Sequence, residues 1–225
     1  MRKAVTALLL VVVILLGCIY AAAEDLSAMT TEDLLDLRLQ INNELVSRKA
    51  DVEIQEGAII ADLFPDRFLA MKVRDAVGAI STSDPITQDE LDSIKTISIN
   101  GNTAGETEEF CDLTGIEYLR NLEVLRVVRQ PGCTKIPDAI GNCIYLRDLD
   151  FRSSGIKTLP ASICDLEYLE SIDACYSELD SLPDDIGNLQ QLKKLNISYT
   201  KVTVLPASIR NLDLEKFYRD GLDLD

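Results

Sequence analysis

The sequence predicts an α/β fold: a stacked solenoid of parallel strands, closed at its first edge by a helical cap and preceded by a separate amphipathic helix. Three observations carry this expectation. Between residues 122 and 212 one pattern occurs four times: L-x-x-L-x-h, with h an apolar residue, then a variable stretch, then h-P-x-x-I. The first leucines, Leu122, Leu146, Leu169 and Leu192, stand 24, 23 and 23 residues apart, a period that marks stacked structural repeats. Upstream of the repeats, residues 64–91 carry helix start signals and helical apolar spacing in place of the repeat pattern.

The chain begins with Arg2 and Lys3, an apolar run over residues 4–16 and the small residues Ala21, Ala22 and Ala23, the layout of a secretory signal peptide spanning 1–23. The apolar run is shorter than the roughly 20 residues that membrane spanning requires. Two processing sites compete. Cleavage after Ala23 releases the protein, whereas Leu15-Leu16-Gly17-Cys18 is similar to a lipobox, in which Cys18 becomes a lipidated first residue. The net charge of −16 includes both leader cations, so the remainder is more acidic still. Such a chain repels phosphate backbones and anionic headgroups, which argues against nucleic-acid and peripheral membrane binding; no membrane insertion is expected after signal cleavage.

Residues 24–57 form the next segment. Thr30 or Thr31 can cap a helix over 27–49, Glu32 and Asp33 suit its first turn, and Leu34, Leu37, Ile41 and Leu45 share one face. A polar linker follows. Residues 58–93 are expected to be a helical cap. Phe64-Pro65-Asp66 opens a helix with Pro65 in its first turn, and Phe68, Leu69, Val73 and Val77 supply the apolar stripe. Thr87 and Glu90 have capping-box spacing for a short helix. Ile94, Ile97, Ile99 and Asn102 then form a first, irregular strand coil, closed by the segment 113–122, and the solenoid runs over 94–225. Its last leucines fall out of spacing: Phe217, Tyr218, Leu222 and Leu224 make a partial coil, either a frugal cap or a chain cut short.

These residues carry a resemblance. "FPDRFLAMKVRDAVG", "ITQDELDSIKTISI" and "DLTGIEYLRNLEVL" resemble the cap and first repeat of the internalin-type bacterial leucine-rich-repeat proteins. Residues 122–212 resemble the 23-residue repeat class with the LPxxIGNL signature, intact at 182–189. The 27–49 helix is similar to a leader segment of secreted proteins from Gram-positive anaerobes. The resemblance implies a right-handed arc of parallel strands, a bacterial surface or secreted location, and protein binding. On that reading the glycosylation pattern Asn196-Ile197-Ser198 is incidental.

Catalytic arrangements are scarce. The chain has no histidine, which removes Ser-His-Asp and Cys-His nucleophiles and histidine-bearing zinc sites. Carboxylate pairs such as Asp184/Asp185 and Asp148/Asp150 arise freely among 38 acids and read as solvated surface. Neither enzymatic activity nor a cofactor is expected. Five cysteines follow residue 23: Cys111, Cys133, Cys143, Cys164 and Cys175. The pairs 111/133 and 143/164 are about one coil apart, as a disulfide between neighbouring coils would need, but Cys133 and Cys143 fall on inward positions that suit core thiols. Cys175 falls on the exposed side.

Counting each first leucine as position 1, positions 1, 4 and 6 point inward and positions 2, 3, 5, 7 and 8 outward onto the concave face. That face displays six basic residues against five acidic ones on a strongly acidic chain. Arg126, Arg129, Asp150, Arg152, Asp173, Tyr176, Lys194, Asn196 and Tyr199 are the candidate contacts for a protein ligand. Tyr176 and Tyr199 share one position in adjacent coils and should stack about 5 Å apart, and Tyr and Arg are the residues from which interface hot spots are built. The expected function is non-catalytic recognition of a protein partner through this face, and the alternative is a structural or self-associating envelope protein.

Overall fold

The computed structural model describes residues 54–101 and 112–223, all within one compact unit, 50–225. The expectations for the leader, Cys18, the 27–49 helix, Asn102 and Cys111 lie outside the described residues.

Helix α1 (Ile60–Leu63) is a single turn that buries Ile60. Helix α2 (Arg67–Val77) starts two residues later than the sequence implied. Asp66 is its cap, accepting hydrogen bonds from the amides of Phe68 and Leu69, so Pro65 precedes the cap and is not in the first turn. A carboxylate beside the free amides of a helix start outcompetes proline's preset φ as the organising feature. The stripe faces inward as expected, with Leu69 and Val73 fully buried and Phe68 and Val77 packed at its border. Helix α3 (Gln88–Asp92) carries the capping box: the Glu90 amide donates to Thr87 Oγ1, and the Thr87 amide and hydroxyl both donate to Glu90 Oε2 at 2.8 and 2.7 Å. These bonds to Thr87 hold the Glu90 carboxyl below its ordinary pKa. Their contribution is therefore present above the ordinary carboxylate range and fades as the pH falls through it.

Six strands follow: β1 (Thr96–Asn100), β2 (Val124–Val128), β3 (Asp148–Asp150), β4 (Ser171–Asp173), β5 (Lys194–Asn196) and β6 (Lys216–Tyr218). They form one parallel sheet in sequence order. The register threads one column through the sheet: Ile97, Leu125, Leu149, Ile172, Leu195 and Phe217. These are position 4 of successive coils, so the repeat phase read from the sequence is the phase of the fold. Positions 1, 4 and 6 of the four full repeats are at most 1% exposed, from Leu122, Leu125 and Val127 to Leu192, Leu195 and Ile197. The sixth strand is in regular register, although its coil is shorter than the others. Phe217, Leu214 and Leu222 are only partly buried there, with no further coil over them among the described residues.

Behind the strands, the h-P-x-x-I segments form 3₁₀ turns at Asp138–Asn142, Ala161–Asp165 and Ala207–Asn211, each preceded by a proline with φ between −68° and −62°. That angle is the one the proline ring imposes, so the turn starts without further cost in backbone freedom. Ile140 and Ile163 drop from these turns into the core, Ile186 does so from a shorter turn at Ile186–Asn188, and Ile209 is only partly buried.

The cap meets the first coil at Gly115. Its φ is +96°, and a Cβ there would lie 2.2 Å from the Leu63 carbonyl oxygen and 2.7 Å from the Phe64 ring. Phe64 in turn packs edge-on against Tyr118, 6.2 Å between centroids. Only glycine satisfies both the backbone angle and the approach. Gly115→Ala is expected to lower stability by about 2–3 kcal/mol. Gly57→Ala, at φ +82° with nothing within 4 Å, is expected to cost only about 1 kcal/mol. Thermal melts of the two variants compare backbone strain with strain plus lost docking, and equal losses would show that docking adds nothing.

Candidate functional site: the concave strip

The outward positions of the strands form a polar strip. Strand alternation alone would expose all of positions 3 and 5, but the structure corrects this for Asp150 and Asp173, which are only 5% and 7% exposed. The cause is local. Position 5 ends each short strand, and its side chain curls back to accept the amide two residues on: Asp150 from Arg152 at 3.2 Å, Asp173 from Cys175 at 3.3 Å, Asn196 from Ser198 at 3.2 Å. This Asx geometry repeats from coil to coil and ends the strand each time.

Cations then cover the two aspartates. Arg152 clamps Asp150 through two hydrogen bonds of 2.8 and 2.7 Å, and this pairing raises the pKa of its guanidinium. Lys194 reaches from the next coil to Asp173 at 2.8 Å. Arg126 pairs with Asp148 at 2.7 Å, Arg147 with Glu170, and Lys95 with Glu123 at 3.4 Å. All five acids of the strip are thus paired with a base. Of the candidate cations, Arg129 has no acidic partner among the described residues, whereas Arg126, Arg152 and Lys194 do. The near balance of charge seen in the sequence is therefore an internal one, with most of the pairs crossing from coil to coil.

At position 8 the chain leaves the strand in an unusual conformation. Arg129, Ser153, Tyr176 and Tyr199 all have φ between 56° and 59°, the left-handed region that non-glycine residues rarely occupy. Gly221 continues the column at +70°. The conformation is held from the next coil, because each position-8 amide donates to a carbonyl there: Arg129 to Arg152, Ser153 to Cys175, Tyr176 to Ser198, Tyr199 to Asp220, at 2.7–3.0 Å. The identical backbone angles put the side chains in register. Tyr176 and Tyr199 stack with centroids 4.6 Å apart and planes 6° apart, both at least half exposed.

A second tyrosine pair escaped the sequence reading. Tyr145 and Tyr168 stack at 6.0 Å just before β3 and β4, both exposed, with the Arg147 guanidinium 5.7 Å from the Tyr168 ring centre. They occupy the residue before position 1, outside the positions counted as concave. Their spacing of 23 residues, one repeat, was the signal that could have found them.

Cys143, Cys164 and Cys175 form no disulfide. Cys133 and Cys143 are fully buried, as core thiols, and Cys164 is 6% exposed. No 143/164 bridge forms, because the two residues occupy different columns: Cys143 aligns with Leu166 and Leu189, Cys164 with Gly141 and Gly187. Burial pushes the thiols of Cys143 and Cys164 up to about 12. Cys175, half-buried on the strip, is raised by burial and by neighbouring Asp173. Among the described residues no three metal-ligating side chains gather.

Comparison with known proteins agrees with this architecture. A model of a leucine-rich repeat region matches residues 107–217, and the model of the bacterial adhesion/invasion protein N terminus matches residues 48–92. The molecule is a leucine-rich-repeat solenoid. Among solved structures, an internalin (inlF) from Listeria monocytogenes is similar at 21% identity and a TM-score of 0.51, over 70% of this chain and 57% of that one. The functional domain of InlJ from Listeria monocytogenes, which includes a cysteine ladder, is similar at 20% identity and a TM-score of 0.57, over 75% of this chain and 34% of that one. The chain thus spans little more than half of the first and a third of the second. No curated protein sequence matches it. With the cap and repeats together, the chain is an internalin-like leucine-rich-repeat protein. Unlike a ladder, its four described cysteines stand in four different columns.

The Asx geometry has a direct test. Asp150→Asn keeps the acceptor, as Asn196 does at the same position, and is expected to hold stability within about 0.5 kcal/mol. Asp150→Ala leaves the Arg152 amide and guanidinium without it and is expected to lose about 1–2 kcal/mol. Denaturant unfolding distinguishes the two. An equal loss in both would assign the stabilisation to the charge.

Proposed function

We propose that this protein is an exported, non-catalytic binding module that recognises a protein partner through its concave strip. The observation that carries the reading is the stacked pair Tyr176 and Tyr199, half exposed or more on a rigid repeat scaffold. Large aromatic surfaces already fixed in place lose little freedom on binding, and interface energy concentrates in such residues. Arg126, Arg129, Arg152, Lys194 and Asn196 place donors on the same strip. Asp150 and Asp173 contribute by pinning Arg152 and Lys194, since the two aspartates are themselves covered. The leucine-rich-repeat fold and its open parallel sheet support a binding role over a catalytic one.

A library of displayed protein fragments selected against the full chain tests the site. Enriched binders are expected to lose tenfold or more in affinity, about 1.4 kcal/mol, for the Tyr176→Ala/Tyr199→Ala double variant, with its melting temperature retained. Unchanged affinity would remove the strip from the reading.

Export rests on the leader at residues 1–23 and on the resemblance of the cap to surface and secreted internalins. Among the described residues no helix is long and apolar enough to cross a membrane. Intact mass of the exported protein is expected to show a start at Glu24, giving a released protein. A diacylated start at Cys18 would make it a tethered surface lipoprotein, and an unprocessed Met1 would sink the export reading.

A further inference from the structure

The position-8 column carries one small side chain, Ser153, between large ones. Five residues, Arg129, Ser153, Tyr176, Tyr199 and Gly221, share the left-handed conformation and project in register from successive coils. The ring of Tyr199 has one face on Tyr176 and the other over Gly221, where a Cβ would lie 2.5 Å from its Cδ1. Among the described residues Tyr176 has one ring contact, its stack on Tyr199, and it is 60% exposed. Its other face looks toward the β3 coil, where the column carries the small side chain of Ser153. Beyond Ser153 stands Arg129. Neighbouring coils lie about 4.8 Å apart, so the Tyr176 and Arg129 positions are separated by roughly 10 Å. That is room for one planar group continuing the 4.6 Å spacing of the tyrosine stack.

The flanking side chain that could fill this space is held elsewhere. Arg152, the neighbour of Ser153, is clamped on Asp150 through both Nε and an Nη atom. We infer that the slot above Ser153, between the open face of Tyr176 and the guanidinium of Arg129, receives an aromatic side chain of a protein partner. Offset stacking on Tyr176 supplies one face of the contact and a cation–π interaction with Arg129 the other. The inference rests on the concave-face reading above and adds the chemistry of the partner's anchor residue. An aromatic side chain suits this position better than an aliphatic one, because the coil on one side carries a π face and the coil on the other a residue with a planar cation.

Ser153→Tyr is the decisive variant. Tyrosine already occupies this conformation in the next two coils, so the substitution extends the ladder and fills the slot while the fold is kept. N-acetyl-tryptophanamide titrated into the full chain is expected to cause saturable ring-current shifts at the Arg129, Ser153 and Tyr176 amides. These shifts should persist in Ser153→Gly and vanish in Ser153→Tyr. Shifts that survive in Ser153→Tyr, or that no concentration saturates, overturn the slot. So does saturation by methyl glucoside without saturation by the tryptophan amide, which would make the slot a sugar site. The displayed binders separate this inference from the broader one. Loss of affinity in both Ser153→Tyr and the double alanine variant supports the slot. Loss in the double alanine variant alone overturns the slot and leaves the concave-face reading standing.

Discussion

Burial of each coil's inward row against the next coil is the interaction on which the rest of the structure depends. A single row of Leu149, Phe151 and their neighbours has no other place to go, since a coil encloses no core of its own. The parallel register follows from this, because position 4 must face position 4 if the rows are to interdigitate. Everything on the outer face inherits that register. Asp148 meets Arg126, Lys194 meets Asp173, and Tyr199 meets Tyr176 because Leu195, Ile172, Leu149 and Leu125 are aligned behind them. The two ends of the stack solve the same problem unequally. Helix α2 covers β1 with buried Leu69 and Val73, whereas at β6 Phe217 and Leu222 are only partly buried.

The repeat was legible in the sequence because it is written in residue types that water rejects. Leucine or isoleucine at positions 1 and 4, and at the end of h-P-x-x-I, mark burial directly, and the capping box of Thr87 and Glu90 is equally local. What the sequence could not convey was anything decided by a side chain's reach. Asp150 and Asp173 sit at outward positions by strand alternation, yet strands of three residues end there, and an Asx side chain satisfies its own backbone before it faces solvent. The partial last coil became a sixth strand because register is imposed by the preceding strand, which tolerates a coil one residue short.

Other features were readable but lay outside the frame used to read them. Tyr145 and Tyr168 repeat with the period of the fold, one residue ahead of the counted positions. The left-handed conformation of position 8 has no composition signal at all, since Arg, Ser and Tyr are not residues that favour it. It comes from outside each residue, through the hydrogen bond that the next coil's carbonyl accepts. The cysteines illustrate the reverse case. Their spacing suggested bridges between coils, and their columns show why Cys143 and Cys164 remain apart.

The ion pairs that run across the strip also bear on the speed of encounter. Charges already matched inside the molecule cast little field into solvent, so the strip itself offers a distant partner little electrostatic guidance. The long-range potential comes from the acidic remainder of the surface, which turns away acidic molecules without directing others to any one place. On the proposed reading, a partner would then associate with the strip at the unguided rate of about 10⁵–10⁶ M⁻¹s⁻¹. How long a complex persists, and hardly how fast it forms, becomes the quantity that distinguishes one partner from another.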